Sequence, residues 1–316
     1  VVIMGHRYPD MDSLSSAIGI LKAAQFIGKE GYVVVEGENP GIANLLNELR
    51  TQEHLAKWIV TPEQALAITT PNTLAVVVDV HRASLVAEPR ILQTADRVVV
   101  VDHHRRSEEF ISDATLVYME PYASSTCELV TELLQYLHDR FPIDPFEATA
   151  LLAGMVVDTK SFSFRTGSRT FEAASFLRRH GADPMKVQGL LKQDLDTFIK
   201  KAEIIRRAEI YFDRIAIAVT EPKIKVSQLL IAQAADALLG MTGISASFVI
   251  SERTDGGIGI SARSLGRINV QVVMERLGGG GHLTNAAVQL DIPLDEAKDR
   301  LIKLLEEYLR EEGSLE

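Results

Sequence analysis

The sequence predicts an α/β protein: a doubly wound, mainly parallel sheet domain, then a smaller mixed α/β domain, the two joined by a helical linker. Three observations lead there. Val- and Ile-rich runs alternate with helical patterns through the first half, and the second half turns to hairpin-forming runs with glycine turns. A length of 316 residues is also too great for one ordinary core and suits two.

Five apolar runs, at 1–4, 32–35, 74–78, 98–101 and 116–119, are continuous rather than alternating, as strands buried on both faces of a parallel sheet should be. Helical patterns lie between and after them, at 13–27 with Ser13 as the cap, and at 125–137. The ligand crevice of such a sheet lies beyond the carboxyl ends of its strands. An amphipathic stretch at 195–210, rich in Lys, Arg and Glu on one face, predicts the connecting helix. The remainder predicts a strand at 215–220, a helix at 226–239, a strand at 246–251, a turn at Asp255-Gly256-Gly257 and a strand at 259–262. There follow a helix at 270–277, a glycine run, a strand near 286–290 and a last helix from after Pro293 to about Leu309. No internal repeat or low-complexity tract is visible.

Composition narrows the function classes. With 46% hydrophobic and 24% charged residues, the chain reads as an ordinary globular protein without a membrane-spanning run or a signal peptide, so this fragment is expected in the cytosol. The single cysteine, Cys127, rules out a disulfide framework and a thiolate metal cage, and is read as core. A net charge of −10 opposes gripping a long polyanion, so a phosphate ligand should be small and held locally. The chain opens on Val1 within a strand pattern, which suggests a piece of a longer polypeptide.

The chemistry gathers at strand ends. The first run leads into Gly5-His6-Arg7-Tyr8-Pro9-Asp10-Met11-Asp12-Ser13, which puts one imidazole and two carboxylates within seven residues. Alone this is equally an Asp-rich turn with a helix cap. The run at 74–78 delivers Asp79, then His81 and Arg82, and the run at 98–101 delivers Asp102-His103-His104. Neighbouring strand ends lie only about 5 Å apart, so these carboxylates would crowd one crevice and repel one another unless cations were present. Asp158 follows an apolar helical stretch and precedes Ser161-Phe162-Ser163-Phe164-Arg165, which reads as an ordered loop, whereas Asp139, Asp144 and Glu147 read as solvated surface. Four glycines at 278–281 before His282 would let backbone approach a phosphate, or form only a flexible turn.

Taken in order, the 6–12 pattern, Asp79, the Asp102-His103-His104 triplet and Asp158 resemble the four motifs of the DHH phosphoesterases. The 278–282 run, with Ser261-Ala262-Arg263-Ser264 upstream, resembles the DHH-associated C-terminal domain. Over Asp102–Arg106, 118–126 (YMEPYASST), 158–162 and 261–265 the likeness is greatest to the cyclic-di-AMP phosphodiesterases of the GdpP type.

The resemblance implies a DHH catalytic domain at 1–192, a linker helix at 193–213 and a DHH-associated substrate-binding domain at 214–316. It implies two divalent ions, with manganese suited to the oxygen and imidazole set. One would be held by His6, Asp10 and Asp79, the other by Asp12, Asp79, His103 and Asp158. Asp79 would bridge, and His104 would act on the phosphate as proton donor or transition-state contact, or else orient its neighbours. Arg263, Ser264, Gly279, Gly280, Gly281 and His282 would hold the rest of the nucleotide.

The implied reaction is hydrolysis of cyclic-di-AMP to linear pApA, within a membrane-tethered parent. The expected partner is a small cyclic or linear dinucleotide, with no long nucleic acid and no direct membrane contact by this fragment, and a homodimer is left open. A nanoRNase or pAp phosphatase shares the metal motifs and is the second enzyme reading. A non-catalytic nucleotide sensor is the reading from another class.

Overall fold

The computed structural model describes residues 1–36, 40–138 and 141–313. The chain divides into two compact units, Val1–Lys192 and Gln193–Glu316. Among the described residues no helix is long and apolar enough to cross a membrane.

The first unit is built on six parallel strands: β1 (Val2–Met4), β2 (Tyr32–Val34), β3 (Ile59–Val60), β4 (Leu74–Val78), β5 (Arg97–Asp102) and β6 (Leu116–Met119). Their order is β3-β2-β1-β4-β5-β6, with register Met4↔Val34, Met4↔Val77 and Val78↔Val101. The continuous apolar runs serve both faces. Ile3, Val33, Val76 and Val78 pack on one side with the helices Met11–Phe26, Thr126–Leu137 and Pro145–Asp158. Val2, Met4, Val34, Ala75, Val77 and Val100 pack on the other with Ala65 and Ile91. The chain winds outward from β1 in one direction and from β4 in the other, so the strand order switches between β1 and β4, where a doubly wound sheet opens its crevice.

Two readings of this region are corrected. Ser13 is not the cap of the first helix. The helix starts at Met11, and Asp10, in an extended conformation after Pro9, accepts the Ser13 amide at 3.0 Å. Glu147 is not surface. It is 0% exposed, because it sits three residues after the cap Asp144, receives the Asp144 amide at 3.0 Å and lies 3.1 Å from Lys22 Nζ. Asp144 caps the same helix through the Phe146 and Glu147 amides, and Asp139 lies outside the described residues.

The second unit has a mixed sheet of β7 (Glu209–Tyr211), β8 (Ile215–Val219), β9 (Lys225–Val226), β10 (Ala246–Arg253), β11 (Ile258–Ser264), β12 (Gly280–Gly281) and β13 (Asn285–Leu290). The order is β12-β13-β11-β10-β8-β7, with β9 on β10. β10 and β11 form the antiparallel hairpin over the Asp255–Gly257 turn, while β8 runs parallel to β10. Alternation sorts the faces. Ile215, Ile217, Phe248 and Ile260 pack with the helices Val270–Glu275 and Leu294–Glu311, and Ala216, Ala218 and Val249 with Gln228–Leu239. The stretch read as a linker forms the helix Leu195–Arg206, whose Ile204 is buried in this second core.

Candidate metal centre

The residues predicted as ligands in the first unit lie at the carboxyl end of the sheet or on a helix end next to it. His6 follows β1, Asp79 follows β4, and His103 and His104 follow β5. Asp12 is in the first turn of Met11–Phe26, and Asp158 is the last residue of Pro145–Asp158. Those two helices meet closely because Gly154 has no side chain. A Cβ there would lie 2.4 Å from Cys127 Sγ and 3.0 Å from Asp12 Cα.

His103 Nε2 lies 3.2 Å from Asp158 Oδ2, 3.5 Å from Asp79 Oδ1 and 3.8 Å from Asp12 Oδ2. His6 Nε2 lies 3.6 Å from Asp79 Oδ2 and 3.8 Å from Asp10 Oδ1. Asp79 therefore turns one oxygen to each imidazole. Its backbone is left-handed, φ 61°, a conformation that Asp tolerates better than most residues.

These spacings fit metal ligands better than hydrogen bonds. Both ring nitrogens of His103 are buried, and among the described residues neither has a hydrogen-bond partner, a costly arrangement unless something else satisfies them. Two donors each about 2.1 Å from one ion and at right angles lie about 3 Å apart. Oxygen and imidazole donors without sulfur suit a hard or borderline divalent ion. Two groups, His6/Asp10/Asp79 and Asp12/His103/Asp158, each offer three ligand atoms within 4.8 Å of one another, and Asp79, His103 and His104 form a third.

The electrostatics point the same way. Burial, then the charges of Asp12, Asp10 and Asp158, pushes the Asp79 carboxyl well above its ordinary range. Burial and Asp12 push Asp158 up to about 6 against the pull of His103. Burial opposes a charge on His103, but Asp158, Asp12 and Asp102 outweigh it and raise the imidazole to about 9. Without cations, protons must be taken up to hold this cluster together.

Several supporting residues were not assigned from sequence. Both oxygens of the fully buried Asp12 accept amides at the start of the Thr126–Leu137 helix, from Thr126 at 2.7 Å and Cys127 at 2.8 Å. Thr126 Oγ1 donates to Asp79 Oδ1 at 3.0 Å. Asp102, also 0% exposed, contacts His81 Nδ1 at 2.5 Å through one oxygen and His104 Nδ1 at 2.8 Å through the other. Burial would raise its pKa, but the bonds from His104 and His81 hold it well below the ordinary range. The Ser107 amide donates to His81 Nε2 at 3.0 Å, so the His81 proton is on Nδ1, toward Asp102. The Asp-His-His triplet thus divides its work: His103 faces the carboxylates and Asp102 orients His104, which is 50% exposed. The only sequence signal for this was His81, two residues past Asp79.

In the second unit, Arg263 and Ser264 end β11 beside Asn285, and the 280–282 segment folds back on the start of β13. Arg263 Nε lies 3.2 Å from Asp236 Oδ1, and Ser264 Oγ accepts the Gly266 amide. Packing accounts for much of the glycine run. A Cβ on Gly279 would lie 2.3 Å from Ala287 O and one on Gly281 2.4 Å from Ala286 Cα, whereas Gly280 faces open space. The Gly279 amide is already bonded to Met274 O and the His282 amide to Asn285 O.

Comparison with known proteins agrees with this architecture. Residues 1–155 match the DHH family, N-terminal domain, and residues 213–311 the DHHA1 domain. The chain is 57% identical over 98% of its length to the cyclic-di-AMP phosphodiesterase GdpP of Geobacillus thermodenitrificans, covering 47% of that protein. It is 52% identical over 99% of its length to the cyclic-di-AMP phosphodiesterase PdeA of Listeria monocytogenes, covering 48%. The chain therefore spans about half the length of these relatives. An exopolyphosphatase-related protein from Bacteroides fragilis shares the fold at a TM-score of 0.83 and 20% identity, with 97% of this chain and 92% of that one covered.

Proposed function

Because the chain belongs to the DHH family and carries the DHHA1 domain, we propose that it is the catalytic part of a larger cyclic-di-AMP phosphodiesterase that hydrolyses its substrate to linear pApA. The observation that carries this reading is Asp79, buried and turning one carboxylate oxygen to each of two imidazole-carboxylate groups. The substrate assignment is supported by the 52–57% identity to cyclic-di-AMP phosphodiesterases.

His6, Asp10 and Asp79 would hold one ion, and Asp12, Asp79, His103 and Asp158 the other, with manganese the favoured metal. A divalent pair supplies a water of lowered pKa and neutralises charge on the phosphoryl oxygens. In the reaction a water oxygen bonds to phosphorus and gives up a proton to solvent, the P–O3′ bond breaks and the departing O3′ takes a proton. His104 is the proposed donor. Asp102 fixes its Nδ1, which leaves Nε2 to present the proton. Asp12 is oriented by the Thr126 and Cys127 amides, which hold its carboxylate 3.8 Å from His103 Nε2. Arg263, Ser264, His282 and the Gly280 backbone are proposed to bind the remaining nucleotide.

Turnover of cyclic-di-AMP, pApA and pAp by manganese-loaded protein tests the reading. Cyclic-di-AMP is expected to be the preferred substrate, with pApA as product. Wide preference for pApA or pAp would establish the nanoRNase or phosphatase reading instead, and binding without product a sensor.

A further inference from the structure

Three arginines of the first unit stand out in a chain of net charge −10. Arg105 and Arg106 directly follow His104, and Arg165 closes the segment after Asp158. Nearby Arg82 and Arg169 are paired with Glu109 and Glu132. Among the described residues, Arg105, Arg106 and Arg165 have no carboxylate partner, and they line one depression of about 560 Å³ together with Tyr122.

The depression is held by its surroundings. The Arg106 guanidinium lies over the Phe110 ring at 3.8 Å, and Arg165 over Phe164 at 5.4 Å. Lys160, Ser161, Phe162 and Arg165 all have left-handed backbone, with φ between 47° and 64°. Such a run of unfavourable conformations persists only where neighbours enforce it. Here the anchor is the buried Thr159, whose carbonyl accepts the Ser163 and Phe164 amides and whose hydroxyl accepts the Phe162 amide at 2.9 Å. Tyr122 is 92% exposed, an open aromatic face beside the arginines.

We propose that Arg105, Arg106 and Arg165 form a cradle for the second, non-scissile phosphate of the dinucleotide, with Tyr122 offering its ring to the adjoining base. This rests on the dinucleotide reading above. A cyclic dinucleotide carries two phosphodiesters, and when one lies at the carboxylate cluster the other keeps its charge within the same small molecule. Guanidinium groups bind phosphate oxygens in pairs and stack on rings, which suits both parts of the depression. The segments that deliver His104 and Asp158 also deliver the arginines, so binding the second phosphate would fix the first.

The test compares cyclic-di-AMP with bis(p-nitrophenyl) phosphate, a diester with a single phosphate. Loss of charge-assisted bonds in Arg105→Gln/Arg165→Gln is expected to lower the ratio of kcat/KM for the two substrates roughly 10- to 100-fold, mainly through KM for cyclic-di-AMP. Arg165→Lys should recover part of the loss. An equal fall on both substrates would mean that the arginines support the loop or the metals, and no fall on either would leave them as solvent-exposed charges; each result overturns the cradle alone. Wild-type protein that cleaves the nitrophenyl diester but not cyclic-di-AMP would overturn the substrate reading, and the cradle with it.

Discussion

The strand-end cluster of the first unit and the glycine run of the second were both marked by unusual sequence, yet they differ in what packing explains. Gly279 and Gly281 are required by the approach of β13, and the Gly279 and His282 amides are already bonded within the unit. Nothing in the packing asks for Asp79 and His103 to be buried beside Asp12 and Asp158, and the repulsion among the carboxylates works against it. A feature that opposes stability and remains unsatisfied points to a ligand more strongly than one the fold itself needs.

The largest effect that can break this comparison is at Asp79. Asp79→Asn keeps the size and tolerance of the left-handed backbone but removes the charge both groups share. Turnover should fall about a thousandfold or more, since two-metal stabilisation amounts to several kcal/mol. Retention of more than about a tenth of the wild-type rate would be incompatible with a bridging role.

The next test separates the two regions. Asp158→Ala should lose bound manganese and activity together, whereas His282→Ala should keep its metal and lose activity on cyclic-di-AMP by roughly tenfold or more. Metal analysis beside turnover decides it. Loss of metal from His282→Ala would make that residue a ligand or its direct support.

Within the glycine run, Gly281→Ala should destabilise by several kcal/mol, because its Cβ meets backbone and side-chain atoms of Ala286 at 2.4 and 2.7 Å at a φ of 151°. Gly280→Ala should unfold close to the wild-type midpoint. A raised KM for cyclic-di-AMP in that variant would then report close approach of the substrate to the backbone. Wild-type KM would reduce the run to a structural turn.

The sheet was legible because β1, β2, β4, β5 and β6 are continuous apolar runs that can be nothing else at that length, whereas the two-residue β3 carries no pattern at all. The cluster was legible because carboxylates and imidazoles at successive strand ends must converge. The partners that orient them were not. Asp102 reads like His103 in the chain, and only the turn after β5 sends one toward His81 and the other toward Asp79. Glu147 looked exposed because its partners, the Asp144 amide and Lys22, lie respectively in a cap and 125 positions away in sequence. Ser13 looked like a cap because Asp and Ser are both capping residue types, and only the extended backbone of Asp10 shows which of them precedes the first helical turn.

The smallest effect expected, and the most direct measure of the strain in the cluster, is the pH dependence of stability after chelation of metal. Asp158 is raised from 3.8 to about 6 and His103 from 6.5 to about 9, and Asp79 is raised as well. Each such group binds protons more tightly when folded, so its contribution is complete below the unfolded pKa and is lost as pH rises through the folded one. Asp102 has the opposite sign, but its depressed pKa confines its effect to below about pH 4. Between pH 5 and 9 the chelated protein should therefore lose stability, on the order of a few kcal/mol in total, seen as a falling Tm. Manganese supplies the missing positive charge without protons, so its stabilising effect should grow over the same range. In Asp79→Asn, with one carboxylate fewer, the decline should be shallower. A Tm of the chelated wild type that stays level or rises from pH 5 to 9 would show that the carboxylates are not in conflict, and the argument from their burial to a metal centre would fail.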